Sequence, residues 1–371
     1  MKVLFLTNYP VPYRVDFFNE LGKLCDLTVL FEQRIDEIFD RDQTGVAETF
    51  QTFKGVFFHG PRIKLGSYYM NFSALAWAIR TSKYDVVIFG IYSSPTQAAM
   101  ITILKLLHWP YVINSDGGFI KNDCFCAKWI KRFLIGHATL YLASGEGTKQ
   151  YLEYYGADPN RVKIYPLTSL IEEDVTREPV SIQRKLALRK QYGIHEKQVI
   201  IGVGQFIERK GWDVLLKAAQ ALPMDIGIYI VGGNETEEYQ KIIAHYGLQS
   251  VHFLPFMEKK TLSDYYSLSD LFVLPTREDI WGLVINEAMA HGLPVITTKR
   301  CLAGLELIEN GINGFLVESE DEEMLAIRIK QILENDELRE QMKKNNQNKI
   351  QAYTIEKMAT ITLGALNDEV W

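Results

Sequence analysis

Cysteine is scarce, with four in 371 residues: Cys25, Cys124, Cys126 and Cys301. So few, so far apart, exclude a disulfide scaffold and fit the reduced thiols of a cytoplasmic protein. Cys124 and Cys126 form a C-x-C with no second pair. His59, His108, His137, His195, His245, His252 and His291 show no metal spacing, so no metal site is expected. A long apolar run is also missing. The most apolar stretch, "VVIFGIYSSPTQAAMITILKLLHWPYVI", is interrupted by Pro95, Gln97 and Lys105 and does not make one uninterrupted spanning helix. The opening "MKVLFLTNYP" has one lysine and a short apolar run, which reads as a buried first strand rather than a signal peptide. No tandem repeat or low-complexity tract is visible.

What is present is an ordinary globular composition, 47% hydrophobic and 23% charged, on a chain long enough for two domains. The net charge of −6 is unevenly spread. Residues 51–150 hold 11 Lys/Arg against 4 Asp/Glu, a local excess of +7, so the remainder carries −13. A basic segment in an acidic chain suggests an anionic partner. No nucleic-acid motif accompanies it, which argues against DNA or RNA.

Short apolar runs alternate with helical spacing. "KVLFLT", "LTVLF", "DVVIFG", "YVINS", "TLYLAS" and "KIYPL" fill the first half. "VIIGVG", "GIYIVGG", "VHFLPF", "LFVLP", "PVITT" and "GFLV" fill the second. Near-continuous apolar strands separated by helices imply α/β architecture with parallel sheets covered on both faces, here two doubly wound domains. The expected division is a first domain over 1–168, a linker with a short helix over 169–198 and a second domain over 199–354. A final helix, 355–371, is expected to return to the first domain. Ligands of such sheets bind beyond the carboxyl ends of strands at the switch point, so the loops after "VIIGVG", "GIYIVGG" and "LFVLP" are where chemistry is sought.

In "GVGQFIERKGWDVLLKAAQAL", a dinucleotide fingerprint fails because position 207 is Ile, and a Walker loop fails because Gly211 follows Lys210. What remains is Arg209-Lys210 at the mouth of a sheet, two cations suited to a diphosphate or, alternatively, a solvated basic turn. In "REDIWGLVINEAMAHGLPVI", Asp279 is a good helix-capping type, "GLVINEAMAH" has helical spacing and Gly292 is a helix stop. The N–H groups of Gly282, Leu283 and Val284 would face the same diphosphate. Glu287 would accept from a ribose diol, and Asp279 would reach past the phosphates to the sugar they carry. A nucleotide sugar meets all these demands. The plainer alternative is Asp279 as a cap and Glu287 as a satisfied surface acid.

On these residues the chain resembles the family-four retaining glycosyltransferases of the GT-B fold along its whole length. The family pattern E-x-F-G-x-x-x-x-E-A-x-A-x-G-x-P-V appears as "DIWGLVINEAMAHGLPV", with Asp279 at the first Glu, Glu287 at the second and Glu278 one residue out of register. The family's G-R-x-x-x-x-K-G appears as Gly204-Gln205 through Lys210-Gly211, so Gln205 replaces the arginine. "VHFLPFMEKK", with Phe256, and "LIENGINGFLV" are similar to the usual framing of the motif. The resemblance implies two Rossmann-like domains facing a cleft and a metal-independent transfer from a nucleotide-diphosphate sugar, with no other cofactor. Asp116, in "YVINSDGGF", stands where the family often has His and is carried as a catalytic candidate beside Asp279. "NYPVPYR" replaces the usual Gly-Gly loop and puts Tyr13 and Arg14 on the acceptor side.

The acceptor the resemblance implies is a saccharide, lipid-linked, in surface-polysaccharide assembly, with the enzyme cytoplasmic or peripheral on the inner membrane face. Phe125, Trp129, Ile130, Phe133 and Leu134 share a helical face near Lys121, Lys128, Lys131 and Arg132, giving either an anionic-membrane contact or a helix packed on its own domain. Two other readings remain: a nucleotide-sugar epimerase on the same fold, and a GT-B-like binding subunit without activity.

Overall fold

A computed structural model describes residues 1–34, 50–66, 68–175 and 180–369. The chain divides into two compact units, Met1–Ser169 with Thr354–Trp371, and Leu170–Tyr353. The expected linker and C-terminal helix therefore fall within these units, apart from residues 176–179 and 370–371, which lie outside the described residues.

The first unit is built on β1 (Lys2–Thr7), β2 (Asp26–Phe31), β3 (Lys54–Phe57), β4 (Arg62–Leu65), β5 (Tyr68–Asn71), β6 (Val86–Phe89), β7 (Val112–Ser115), β8 (Leu140–Ala143) and β9 (Val162–Ile164). Seven form a parallel sheet in the order β3-β2-β1-β6-β7-β8-β9, while β4 and β5 make a separate antiparallel hairpin. The order reverses at β1, which pairs with β2 on one side (Val3 opposite Leu27) and β6 on the other (Val3 opposite Val86). The inner strands β6, β7 and β8 are buried at every position, as parallel strands covered on both faces must be. Aromatic rings fill one side: Phe5 and Phe18 meet edge-on at 4.9 Å, and Phe17 and Phe31 pack around them. The closing helix Ile355–Glu369 packs on Pro12–Leu24.

Strand β3 and the β4–β5 hairpin do not stand out in the sequence. All four side chains of β4 are exposed, and β3 is a four-residue edge strand containing Gly55. Neither has the apolar run that marked the inner strands.

The second unit holds β10 (Gln198–Val203), β11 (Ile226–Val231), β12 (Val251–Leu254), β13 (Leu271–Leu274), β14 (Val295–Thr298) and β15 (Gly314–Val317). Their parallel order is β12-β11-β10-β13-β14-β15, with Ile200 paired to Ile228 on one side and to Leu271 on the other. The switch point lies between β10 and β13, so the loops leaving these two strands open side by side at their carboxyl ends. The helix Ile182–Gln191 belongs to this unit. Lys185 and Arg189 grip the Asp270 carboxylate at 2.5 and 2.6 Å, just before β13.

Candidate functional site

Two loops build the centre of the second unit, Gly204–Gly211 after β10 and Pro275–Gly282 after β13. The first begins at Gly204 (φ +155°) and ends at Gly211 (φ +70°), a conformation L side chains rarely adopt. A Cβ at Gly211 would stand 2.2 Å from the Pro275 carbonyl oxygen, so only glycine lets the two loops touch. Backbone hydrogen bonds then clamp them: the Arg209 carbonyl accepts from Thr276 Oγ1 and Arg277 N, each at 2.8 Å. Trp212, fully buried, donates its indole N–H to the Gln205 carbonyl at 3.1 Å. Arg277 adds a two-pronged contact, both nitrogens 2.8 Å from Asp213.

This clamping brings Lys210 to Asp279. Its ammonium lies 2.5 Å from Oδ2, and both residues are at least nine-tenths buried. Arg209 approaches the other carboxylate oxygen at 3.5 Å and bonds the Glu278 carbonyl at 2.7 Å. Glu278 turns its own carboxylate to Arg300 at 2.7 Å. Asp279 does not cap the following helix. The cap of Leu283–Ala290 is Gly282 (φ +100°), with no side chain bonded to the first turn. Asp279 is instead held by its backbone, N–H to the Arg300 carbonyl at 2.8 Å, in a bridge with Cys301. A Cβ at Gly282 would meet the Cys301 sulfur at 2.8 Å, which accounts for glycine at this entry.

The helix start at Gly282, Leu283 and Val284 thus opens beside a cationic loop, and its leading N–H groups and dipole favour an anion. Gln205 is exposed and its amide is neutral, so this position supplies no charge to the centre. Glu287 sits farther along the helix and accepts from the Tyr266 hydroxyl at 3.1 Å. Burial, with the nearby Glu287 carboxylate, pushes that phenol well above its usual range, so Tyr266 remains a donor. Phe256, in the loop after β12, is 69% exposed.

The first unit gathers Tyr13, Arg14 and Asp116 at the carboxyl ends of β1 and β7. Arg14, 3% exposed, pairs with Asp116 and reaches the Asn114 side chain at 3.0 Å. Asp116 also accepts from Tyr13 at 3.1 Å and Tyr165 at 2.8 Å. Burial and the Asp116 charge raise both phenols, so all three neighbours donate to the carboxylate. Arg14 Nη1 is buried without a partner in the structure. Tyr165, Asn114, Tyr266, Asp213 and Arg277 were not picked out from the sequence. Tyr165 lies just beyond the short edge strand β9, and the position of a tyrosine after a strand's carboxyl end was the one available signal.

Residues 184–349 match the family model described as Glycosyl transferases group 1. An uncharacterized glycosyltransferase of Haemophilus influenzae is 35% identical over 170 residues, 44% of this chain and 47% of the relative. The alpha-D-kanosaminyltransferase of Streptomyces kanamyceticus is 27% identical over 225 residues, covering 59% and 57%. The chain spans about half the length of the curated relatives it matches. Among solved structures, Anabaena HepE in complex with UDP superposes with a TM-score of 0.80 at 18% identity, covering 99% of this chain and 100% of that one. WaaG, a glycosyltransferase of lipopolysaccharide biosynthesis, gives 0.67 at 17%, covering 98% and 99%. With the strand orders described above, the fold is GT-B, and residues 184–349, less than half of the chain, are similar to the group 1 glycosyl transferases.

Proposed function

We propose that the protein is a glycosyltransferase moving a sugar from a nucleoside-diphosphate sugar to a saccharide acceptor, with retained anomeric configuration and no resident metal. The observation that carries this is the Lys210–Asp279 pair beside Arg209 and the Gly282-started helix. An ammonium has three donors; one is held by Asp279, and two remain for phosphate oxygens. Arg209, Lys210 and the helix N–H groups meet the charge that develops on a leaving diphosphate, which is stabilisation aimed at the transition state. The bond from the anomeric carbon to the diphosphate breaks while the acceptor hydroxyl oxygen bonds to that carbon on the same face. The acceptor's proton passes to the departing phosphate oxygen. Asp279 then orients Lys210 and borders the sugar, Glu287 takes the ribose, and Asp116 fixes Arg14 and Tyr13 for the acceptor.

UDP is the first probe, since the HepE neighbour holds it. A lipid-linked acceptor in surface-glycan assembly is part of this proposal; its support is the resemblance and the exposure of Phe125 and Trp129, 84% and 60%, on the helix Phe125–Ile135. No helix among the described residues is long and apolar enough to cross a membrane.

Calorimetry with UDP, GDP and ADP, then turnover with a panel of nucleotide sugars, tests the reading. Lys210→Ala is expected to weaken diphosphate binding by ~1.5–3 kcal/mol, the scale of a hydrogen bond to a charged group. Acceptor-dependent nucleotide release supports transfer. Acceptor-free epimerisation would make the protein an epimerase, binding without turnover would make it a binding subunit, and no nucleotide binding at all overturns the proposal.

A further inference from the structure

Ser263, Tyr266 and Ser267 lie on one face of the helix Lys259–Leu268 and bond to the helix Leu283–Ala290 and its C-cap, His291. Positions three and four apart are neighbours on a helix surface, so the three stand together, as do Glu287 and His291 opposite them. Tyr266 is 2% exposed. Its ring lies nearly parallel to the His291 imidazole, 18° between planes with centroids 5.3 Å apart, and packs on Phe272 of β13 at 6.1 Å. The two serine hydroxyls meet the two ring nitrogens of His291 at 3.3 and 3.1 Å, so the surface under Tyr266 is itself held. A ring fixed on both sides fixes its hydroxyl oxygen, which donates to Glu287 Oε2 at 3.1 Å.

Glu287 is half-buried, and a glutamate side chain loses rotamer freedom when a ligand engages its carboxylate. A carboxylate held in place before the ligand arrives spares that cost. A carboxylate also offers more than one lone-pair direction, so the bond from Tyr266 does not exhaust it as an acceptor.

We propose that Tyr266 is a positioning residue that presents the Glu287 carboxylate to the ribose diol of the donor, and so sets the preference for ribonucleoside over 2′-deoxyribonucleoside diphosphates. The inference rests on the glycosyltransferase reading above for the ligand and deepens it by naming what selects the nucleoside's sugar. A site built to bond a hydroxyl penalises the analogue that lacks it, and the penalty shrinks when the acceptor is free to move. Loss of the Tyr266 hydroxyl therefore erodes the choice of ribose. The phosphate contacts, supplied by Arg209, Lys210 and the helix start, do not pass through it.

Calorimetry on the full chain tests this with UDP, GDP and ADP, each beside its 2′-deoxy counterpart, and with inorganic pyrophosphate. Wild type is expected to bind its best ribonucleoside diphosphate about tenfold or more tighter than the deoxy form. Tyr266→Phe keeps the ring on His291 and Phe272; it should narrow that ratio about fivefold and leave pyrophosphate affinity within about twofold. Tyr266→Met, flexible enough to fill the same space, is the second variant should the first not fold. Glu287→Ala should abolish the preference, and adding Tyr266→Phe to it should change the ratio no further. An unaltered ratio in Tyr266→Phe, equal weakening of every ligand, or further erosion in the double variant overturns the inference and leaves the glycosyltransferase reading standing. Failure of both Tyr266 variants to fold overturns it as well, by making the tyrosine a strut between helices. A wild type that binds ribo and deoxy forms equally overturns this inference alone, whereas one that binds no nucleoside diphosphate overturns both.

Discussion

Asp279→Asn is the most informative single change, because it removes a charge and almost no volume. In the native chain the Asp279 carboxylate is 2.5 Å from Lys210 and 3.5 Å from Arg209, with both partners of the shorter pair nine-tenths buried. Removing one member of a buried pair leaves the other charge uncompensated and costs about 3–5 kcal/mol. The slight accessibility of this pair and the half-exposed Arg209 place the expected loss near the lower end, about 3 kcal/mol. The three side chains sum to +1 with Asp279 and to +2 without it. A diphosphate therefore regains part of what the mutation loses, and UDP affinity should rise in Asp279→Asn by roughly tenfold, about 1.4 kcal/mol. Turnover should fall, since Lys210 is no longer oriented. Lys210→Met is expected to lower both stability and UDP affinity, and the double variant should show a coupling of about 2 kcal/mol rather than additive losses. Urea unfolding read by hydrogen exchange in β10 and β13 peptides isolates the second unit from the first. If Asp279→Asn unfolds like wild type and binds UDP no differently, the pair does not exist in solution and the electrostatic argument fails.

Two further outcomes follow from groups outside this pair. His291 is half-buried against Tyr266, between Ser263 and Ser267, and desolvation lowers it to about 4, despite the opposing pull of Asp174 and Asp264. The unfolded chain takes up this proton near pH 6.5 and the folded one near 4. The contribution is therefore complete above 6.5 and falls as pH drops through that window, by ~3 kcal/mol in all; His291→Gln should flatten the acid slope of second-unit hydrogen exchange. Vesicles containing anionic lipid should bind the protein reversibly, more weakly as salt rises past ~0.15 M. Neutralising Lys128, Lys131 and Arg132 together should reduce that binding, and its persistence would leave the helix Phe125–Ile135 as packing surface only.

The inner strands were legible because burial on both faces writes itself as unbroken apolar runs. "LFVL" and "VVIF" carry no polar residue, and both proved to be buried strands flanking a switch point. The centre was legible only as a set of types. Lys210 and Asp279 lie 69 positions apart, and their meeting depends on β13 pairing with β10, a sheet-order fact that no local pattern records. Asp279 followed capping preference in the sequence, but glycine wins the cap here because the Cys301 sulfur leaves no room for a side chain at 282. Tyr266 gave no signal at all, being one buried tyrosine beside another, with its partner Glu287 on a different helix 21 residues away.

The chain passes between its units twice, at Ser169–Leu170 and again at Tyr353–Thr354, so the second unit is spliced into the first. During synthesis this gives the halves unequal schedules. The second unit has its whole sequence before the helix Ile355–Glu369 emerges, whereas the first must wait for that helix to cover Pro12–Leu24. At typical elongation speeds of about 5–20 residues per second, the interval is roughly 10–40 s. For that time the nascent first unit offers an uncovered apolar face to chaperones, and a ribosome that stops early releases a finished second unit joined to an unfinished first.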